Sequence, residues 1–279
     1  MRYDNSNIFF SQQILKKIIL ANFLFLLYTK TYMEFLMREK MDIISFEELD
    51  STNIYAKNNL ENLSDRSVVC ARRQTSGRGR LQRSWLDLGG DNLYMTIVLK
   101  PCSESLNSFQ NLTQYLSVTL CKLLESYGLT PQIKWPNDVL INGKKIAGIL
   151  SEAAFQGNTM KGIVLGIGVN LNVERENLSL VTDKEVTSLN LETGKTIDLS
   201  DFQQKLTSMF FDNYDKFLKQ GFEFIKSDYI SRIYFLDTEI SVKGFNSTVT
   251  GIAREINDCG ELVLEKDKKK LVLNIGDIL

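Results

Sequence analysis

A chain of 279 residues can fold as one large or two ordinary domains and can bury a substantial core. Its 43% hydrophobic and 24% charged residues fit a soluble globular protein, and 33 Lys+Arg against 34 Asp+Glu leave a net charge of -1, so no global basic field recommends nucleic acid. It contains no histidine, which excludes Ser-His-Asp and Cys-His nucleophiles and every histidine-ligated metal; its chemistry must run on carboxylates, lysines, arginines and backbone dipoles.

Residues 1–41 differ from the rest. Ile18 to Tyr28 is an almost unbroken apolar run behind Lys16-Lys17. It is shorter than the ~20 residues that cross a bilayer, and no small-x-small cleavage site follows it. It reads as a peripheral helix, or as sequence upstream of the true start with Met33, Met37 and Met41 as alternative initiators; a signal or anchor is the remaining alternative. No membrane partner is expected, and the compact domain is expected to begin near Met41. Asp42 to Phe46 predicts a strand. Asp50 to Asn53 supplies cap residues for a helix through about Asn62, and Ser67 to Arg72 predicts a second strand. Asn92 to Leu99 is a run of β-formers ended by Pro101. Leu106 to Tyr127 carries leucines at helical spacing and stops at Gly128. The pair Asn142-Gly143 predicts a hairpin of Val139–Ile141 with Lys145–Glu152. A turn at Gln156-Gly157-Asn158 leads into a strand over Met160–Asn172. Glu174 to Leu189 reads as a polar loop, and Leu199 to Phe217 as a helix closed by Gly221. Four short strands follow, at Thr238–Phe245, Thr248–Ile256, Glu261–Glu265 and Lys270–Asn274, a small all-β module. Cys70, Cys102, Cys121 and Cys259 lie far apart with no Cys-x-x-Cys pair, so reduced thiols and a cytoplasmic location are the expectation.

One stretch carries the strongest chemical signal: Gln74-Thr75-Ser76-Gly77-Arg78-Gly79-Arg80, followed by Arg83 and Trp85. Alternating glycines allow positive φ and close backbone approach, and the guanidiniums present donor forks that match carboxylate and phosphate oxygens. The stretch reads as an anion-holding loop or, blandly, as a basic surface turn. It lacks the third glycine of a dinucleotide fingerprint and the Gly-Lys-Ser/Thr of a phosphate loop. Context favours the anion loop: Lys134-Trp135-Pro136-Asn137-Asp138 follows, then Lys145-Ile146-Ala147-Gly148-Ile149-Leu150-Ser151-Glu152, then Gly166-Ile167-Gly168-Val169-Asn170.

These motifs, in this order, resemble the biotin protein ligase family, and the likeness extends over 42–279. The resemblance implies an α+β fold: a mixed α/β biotin/lipoate-ligase-like catalytic domain over 42–232 and a small C-terminal SH3-like β-barrel domain over 233–279. It implies a ligase that joins biotin to ATP as biotinyl-5′-adenylate, with Mg²⁺, and transfers the biotinyl group to one lysine of a biotin carboxyl carrier protein. Ser51, Thr52, Asn53, Gln74, Gly77, Arg78 and Gly79 match the family's biotin-contacting positions. Arg80 and Lys145 match those that hold both biotin carboxyl and phosphate, and Arg83, Trp85, Asn137 and Asn170 match the nucleotide side. Lys134 and Asp138 complete the catalytic set. Asp138 is read as proton acceptor, metal ligand or structural turn residue. With only about 41 preceding residues and no helix-turn-helix pattern, no DNA partner is expected. A homodimer is allowed by the likeness and by nothing else in the sequence.

Overall fold

The computed structural model describes residues 42–100, 108–157, 159–244 and 247–279. The apolar run at 18–28, the expected start at Met41, and Pro101, Cys102, Leu106, Asn158 and Phe245 lie outside them. Strand β1 (Ile43–Leu49) runs parallel to β2 (Val68–Gln74) across the short helix α1 (Thr52–Asn58). Then come β3 (Leu93–Leu99), α2 (Leu112–Glu125), β4 (Pro131–Lys134), β5 (Asp138–Ile141), β6 (Lys144–Gln156) and β7 (Thr159–Val169). They complete a seven-stranded sheet of order β1-β2-β3-β7-β6-β5-β4, antiparallel except at β1–β2.

All seven residues of β3 are buried, so its alternating side chains must be covered on both faces. On one face Val98 joins Ala56 and Leu60 from α1 and the chain after it. On the other, Met95 accepts a hydrogen bond from Thr207 of α5 (Leu199–Gln220). Helix α5 turns Phe202, Leu206, Phe210, Tyr214 and Phe217 inward, and Phe217 stacks on Tyr115 of α2 at 4.3 Å. Asp198 caps α5 through the Asp201 N–H, and Gly221 ends it at φ 61°. Asn142 and Gly143 take positive φ between β5 and β6, as their hairpin requires.

The segment over 174–189 is more structured than a polar loop. It contains α3 (Arg175–Leu178) and delivers Leu189 into α4 (Leu189–Thr193), and Lys145 forms a parallel bridge with Val186. Helix α1 ends earlier than Asn62, at Asn58, and α2 is described from Leu112. The short helix α6 (Lys226–Ile230) leads to the last five strands, β8 (Glu239–Lys243), β9 (Thr248–Ile256), β10 (Leu262–Lys266), β11 (Lys269–Leu273) and β12 (Asp277–Ile278). The expected barrel is an open sheet of order β11-β10-β9-β8-β12: β12 is a fifth strand that pairs only with β8, leaving β11 and β12 as edges. This sheet is latched to the larger one at the β9–β10 turn. The Gly260 carbonyl accepts from Trp135 Nε1 at 3.1 Å and Gln114 Nε2 at 2.7 Å, and Asn111 donates to the Cys259 carbonyl at 2.8 Å. Gly260 has φ 79°, and a Cβ there would lie 2.5 Å from Asn111 Nδ2, so only glycine makes this joint.

Cys70, Cys121 and Cys259 are unpaired, and burial pushes the Cys70 and Cys121 thiols up to about 12. Among the described residues no helix is long and apolar enough to cross a membrane.

Candidate active site

The parallel β1–β2 pair continues past its strands: Thr75 and Ser76 donate to the carbonyls of Leu49 and Asp50, both at 2.9 Å. That continuation brings the start of α1 beside Gln74. The Thr52 N–H and hydroxyl both donate to Gln74 Oε1, at 2.8 and 3.2 Å. Asn53 accepts from the Thr96 hydroxyl at 2.7 Å and donates to the Leu150 carbonyl and to Glu152, both at 3.2 Å. Ser51, Thr52 and Asn53 are all buried, so α1 offers an oriented polar wall. The floor is bare main chain. A Cβ at Gly166 would stand 2.1 Å from Asn53 Oδ1, and one at Gly168 would stand 2.5 Å from Trp85 Cε2. Since Asn53 is held by three partners, Gly166→Ala overpacks a site that cannot yield. It is expected to cost about 1–3 kcal/mol, seen as a lower melting temperature; an unchanged midpoint would mean that Asn53 moves aside.

The arginine loop closes on itself. Trp85 N–H donates to Gly77 O at 2.9 Å, Gly79 N–H to Arg83 O at 2.7 Å, and Arg78 bridges to Ser84. Neither Gly77 nor Gly79 takes positive φ; Leu81 (49°) and Gln82 (61°) do, at the tip. The glycines serve close approach instead, since a Cβ on Gly77 would sit 2.4 Å from the Trp85 carbonyl. The three arginines each meet a partner. Arg78 pairs with Glu152 at 3.1 Å, Arg80 with Asn137 Oδ1 at 2.9 Å and Asp277 at 3.4 Å, and Arg83 with the other Asp277 oxygen at 3.2 Å. Burial lowers the Arg80 pKa while Asp277 and Asp138 oppose the shift, and the guanidinium stays charged.

The hairpin supplies the opposite wall. A register shift at Val139/Leu140 places Lys145 across from Leu140, and its Nζ lies 2.7 Å from Asp138 and 5.4 Å from the centre of the Trp85 ring. Asn137, the other partner of Arg80, donates to the Ile149 carbonyl at 2.8 Å. Lys134 stands across the β4–β5 turn from Asp138 and does not line the cavity; burial lowers its pKa, countered by Asp138.

Two adjoining cavities result. The first, about 60 Å³, is bounded by the α1 wall, the glycine floor and the arginine loop. It is well below the ~300 Å³ of ordinary ligand sites, and the Trp85 indole lies against Gly148 and Gly168 with its Nε1–H unpaired. The second, about 200 Å³, runs from Arg83, Lys145 and Lys184 to an apolar end at Leu86, Leu88 and Val181. Asn170 lines it and donates to the Thr187 carbonyl at 3.0 Å. A roomier hollow of about 620 Å³, between β1–β3 and the start of α5, contains none of the motif residues.

Of the expected residues, Ser51, Thr52, Asn53, Gln74, Arg78, Gly79, Arg80, Asn137 and Asp138 share the first cavity, Arg83, Trp85 and Lys145 line both, and Asn170 lines the second. Gly77 and Lys134 line neither. The sequence reading missed three charged residues. Glu152 closes a quoted motif and had a signal; Asp277 and Lys184 had none.

The model of the biotin/lipoate A/B protein ligase family matches residues 45–170. The chain is 33% identical over 205 residues to the bifunctional ligase/repressor BirA of Bacillus spizizenii, an alignment covering 73% of this chain and 63% of that protein. The chain thus spans less than two thirds of that relative. It is 31% identical over 236 residues to the biotin–(acetyl-CoA-carboxylase) ligase of Paracoccus denitrificans, covering 82% of this chain and 96% of that one. The structure of the biotin protein ligase from Aquifex aeolicus in complex with biotin and ATP matches with a TM-score of 0.70 at 28% identity, over 85% of this chain and 97% of that chain.

Proposed function

The chain belongs to the biotin protein ligase family, and from that premise we propose that it activates biotin with ATP and transfers it to a lysine of a biotin carboxyl carrier protein, such as that of acetyl-CoA carboxylase. One observation carries the reading. Lys145 and Arg83, with Arg80 beside them, converge where a narrow polar cavity meets a wider one with an apolar end. The first suits the ureido head, whose N–H and carbonyl groups need hydroxyl and amide partners; the second suits the adenosine, and the cations suit the phosphate between them.

In the first half-reaction a biotin carboxylate oxygen attacks the α-phosphorus, the new P–O bond forms, and the α–β bond breaks to release pyrophosphate. The nucleophile is already ionised, so positioning and charge stabilisation do the catalysis. Lys145 and Arg80 stand where they can neutralise the developing charge, and Asn137 fixes the Arg80 fork. In the second, a neutral carrier amine attacks the acyl carbon, AMP leaves and one proton is released. Asp138 is one of two carboxylates lining the first cavity, with Asp277, yet it is already committed to Lys145. We therefore assign it first to holding that lysine.

Mg²⁺ fits this chain only as a passenger of the nucleotide. Among the described residues no three acidic, Cys or His side chains converge, and Asp138 is engaged with Lys145, so the phosphates would supply most of the ligands of a Mg²⁺ that enters with ATP. We read 42–232 as the ligase domain and 233–279 as an appended module with an SH3-like strand order.

The test is incubation with biotin, Mg-ATP and an apo carrier domain, with lipoate in a parallel tube. Biotin-dependent mass gain at one carrier lysine is the expected result. Lipoylation in place of biotinylation, or neither adenylate nor product, would overturn the reading.

A further inference from the structure

Lys184 belongs to the stretch that reads as a polar loop, and the structure gives that stretch a defined place. The Lys145 N–H donates to the Glu185 carbonyl at 2.9 Å, and the Thr187 N–H donates back to the Lys145 carbonyl at 3.0 Å. Two main-chain hydrogen bonds thus lay 185–187 alongside Lys145 and carry Lys184 to the same spot. Asn170 secures the far end, donating to the Thr187 carbonyl and accepting from the Leu189 N–H, both at 3.0 Å. Lys184 consequently lines both cavities, as Lys145 does.

The ammonium has little to satisfy it there. Its ion pair is with the adjacent Asp183 at 3.5 Å, whose side chain is 63% exposed and so well screened, while the Lys184 side chain is only 32% exposed. Lys145, by contrast, is matched by Asp138 at 2.7 Å, and Arg80 and Arg83 share Asp277. At the junction of the cavities Lys184 thus carries a charge that a screened, exposed carboxylate compensates only weakly. A half-buried ammonium in that position calls for an anion, and a phosphate spanning the junction supplies one.

We propose that Lys184 is a second phosphate-binding lysine, which contacts the α-phosphate of ATP and retains it as the phosphate of the acyl-adenylate. The inference rests on the ligase reading and adds to it a contact from the far wall, opposite the arginine loop. Charge supplied from both sides would hold the adenylate even when one side opens.

The test uses the full chain, as Lys184→Met and Lys184→Arg, in biotin-dependent ATP–pyrophosphate exchange, adenylate dissociation and biotin binding without nucleotide. Lys184→Met is expected to raise both the KM for ATP and the adenylate off-rate about tenfold. Biotin affinity should stay within about twofold of the parent, and Lys184→Arg should recover most of the loss, because a guanidinium also binds phosphate. An unchanged KM and off-rate in Lys184→Met would overturn the inference, as would an equal loss of biotin binding, which marks a merely structural role. If the unaltered protein itself catalyses no exchange, the ligase reading falls and takes this inference with it, so the two failures are distinguishable.

Discussion

Lys145→Met should lower the rate of adenylate formation by about 10²–10³-fold in a single-turnover assay, the scale of losing one preorganised charge at a transition state. Methionine keeps the length of the stem and its packing on Trp85, so the loss reports the ammonium and not the shape. The ammonium is placed by the start of β6, where the Lys145 main chain is held by β5 on one side and by 185–187 on the other, and it is aimed by Asp138. This geometry makes a further demand. If Asp138 acts by holding Lys145, Asp138→Asn alone should cost less than Lys145→Met, and the double variant should be no worse than Lys145→Met. Additive losses would show an independent function for Asp138, as base or metal ligand. A Lys145→Met rate within about threefold of the parent would remove Lys145 from the phosphate chemistry.

Arg80→Gly is expected to form adenylate but fail to keep it, raising its release at least about tenfold, in line with one lost charge-assisted hydrogen-bond pair. Arg80 is the deepest of the three loop arginines, its side chain 15% exposed against 45% for Arg78 and 42% for Arg83. It ties the loop to the hairpin through Asn137 and to the C-terminal sheet through Asp277. Without it, only the Arg83 pair joins the loop to Asp277, and the left-handed turn at Leu81 and Gln82 loses a flanking anchor. Released adenylate should acylate lysines on any added bystander protein. Unchanged specificity for the carrier, with unchanged adenylate retention, would contradict the assignment.

The residues that build the polar wall and the two clamps were legible in the sequence because their types and spacing are unusual together: Gly-Arg-Gly-Arg, Lys-Trp-Pro-Asn-Asp and a hairpin lysine. Local signals of turn and period also located the strands around them, since Asn142-Gly143 and the apolar run over 93–99 act at short range. What escaped depends on long-range assembly. Asp277 is an ordinary strand residue until β12 pairs with β8 and carries it to two arginines far away in sequence. Lys184 sits in a segment whose polar composition hides a main-chain bridge to Lys145. Of the two uses open to Gly77 and Gly79, positive φ is a local property, whereas the close approach they provide exists only once Trp85 and Arg83 have folded back. The barrel expectation failed at closure, which depends on whether two edge strands meet.

The floor of the first cavity has a consequence for how this scaffold could change its substrate. Gly148, Gly166 and Gly168 leave it without side chains, so it offers shape and no preference among acyl acids. Discrimination is left to the start of α1 and to the arginine loop, two short segments attached to strands that need not alter. Selectivity is thus separable from architecture. A handful of substitutions at Ser51, Thr52, Asn53 and Gln74 could redirect the chain toward another carboxylic acid while the sheet beneath and the phosphate clamps beside it stay as they are.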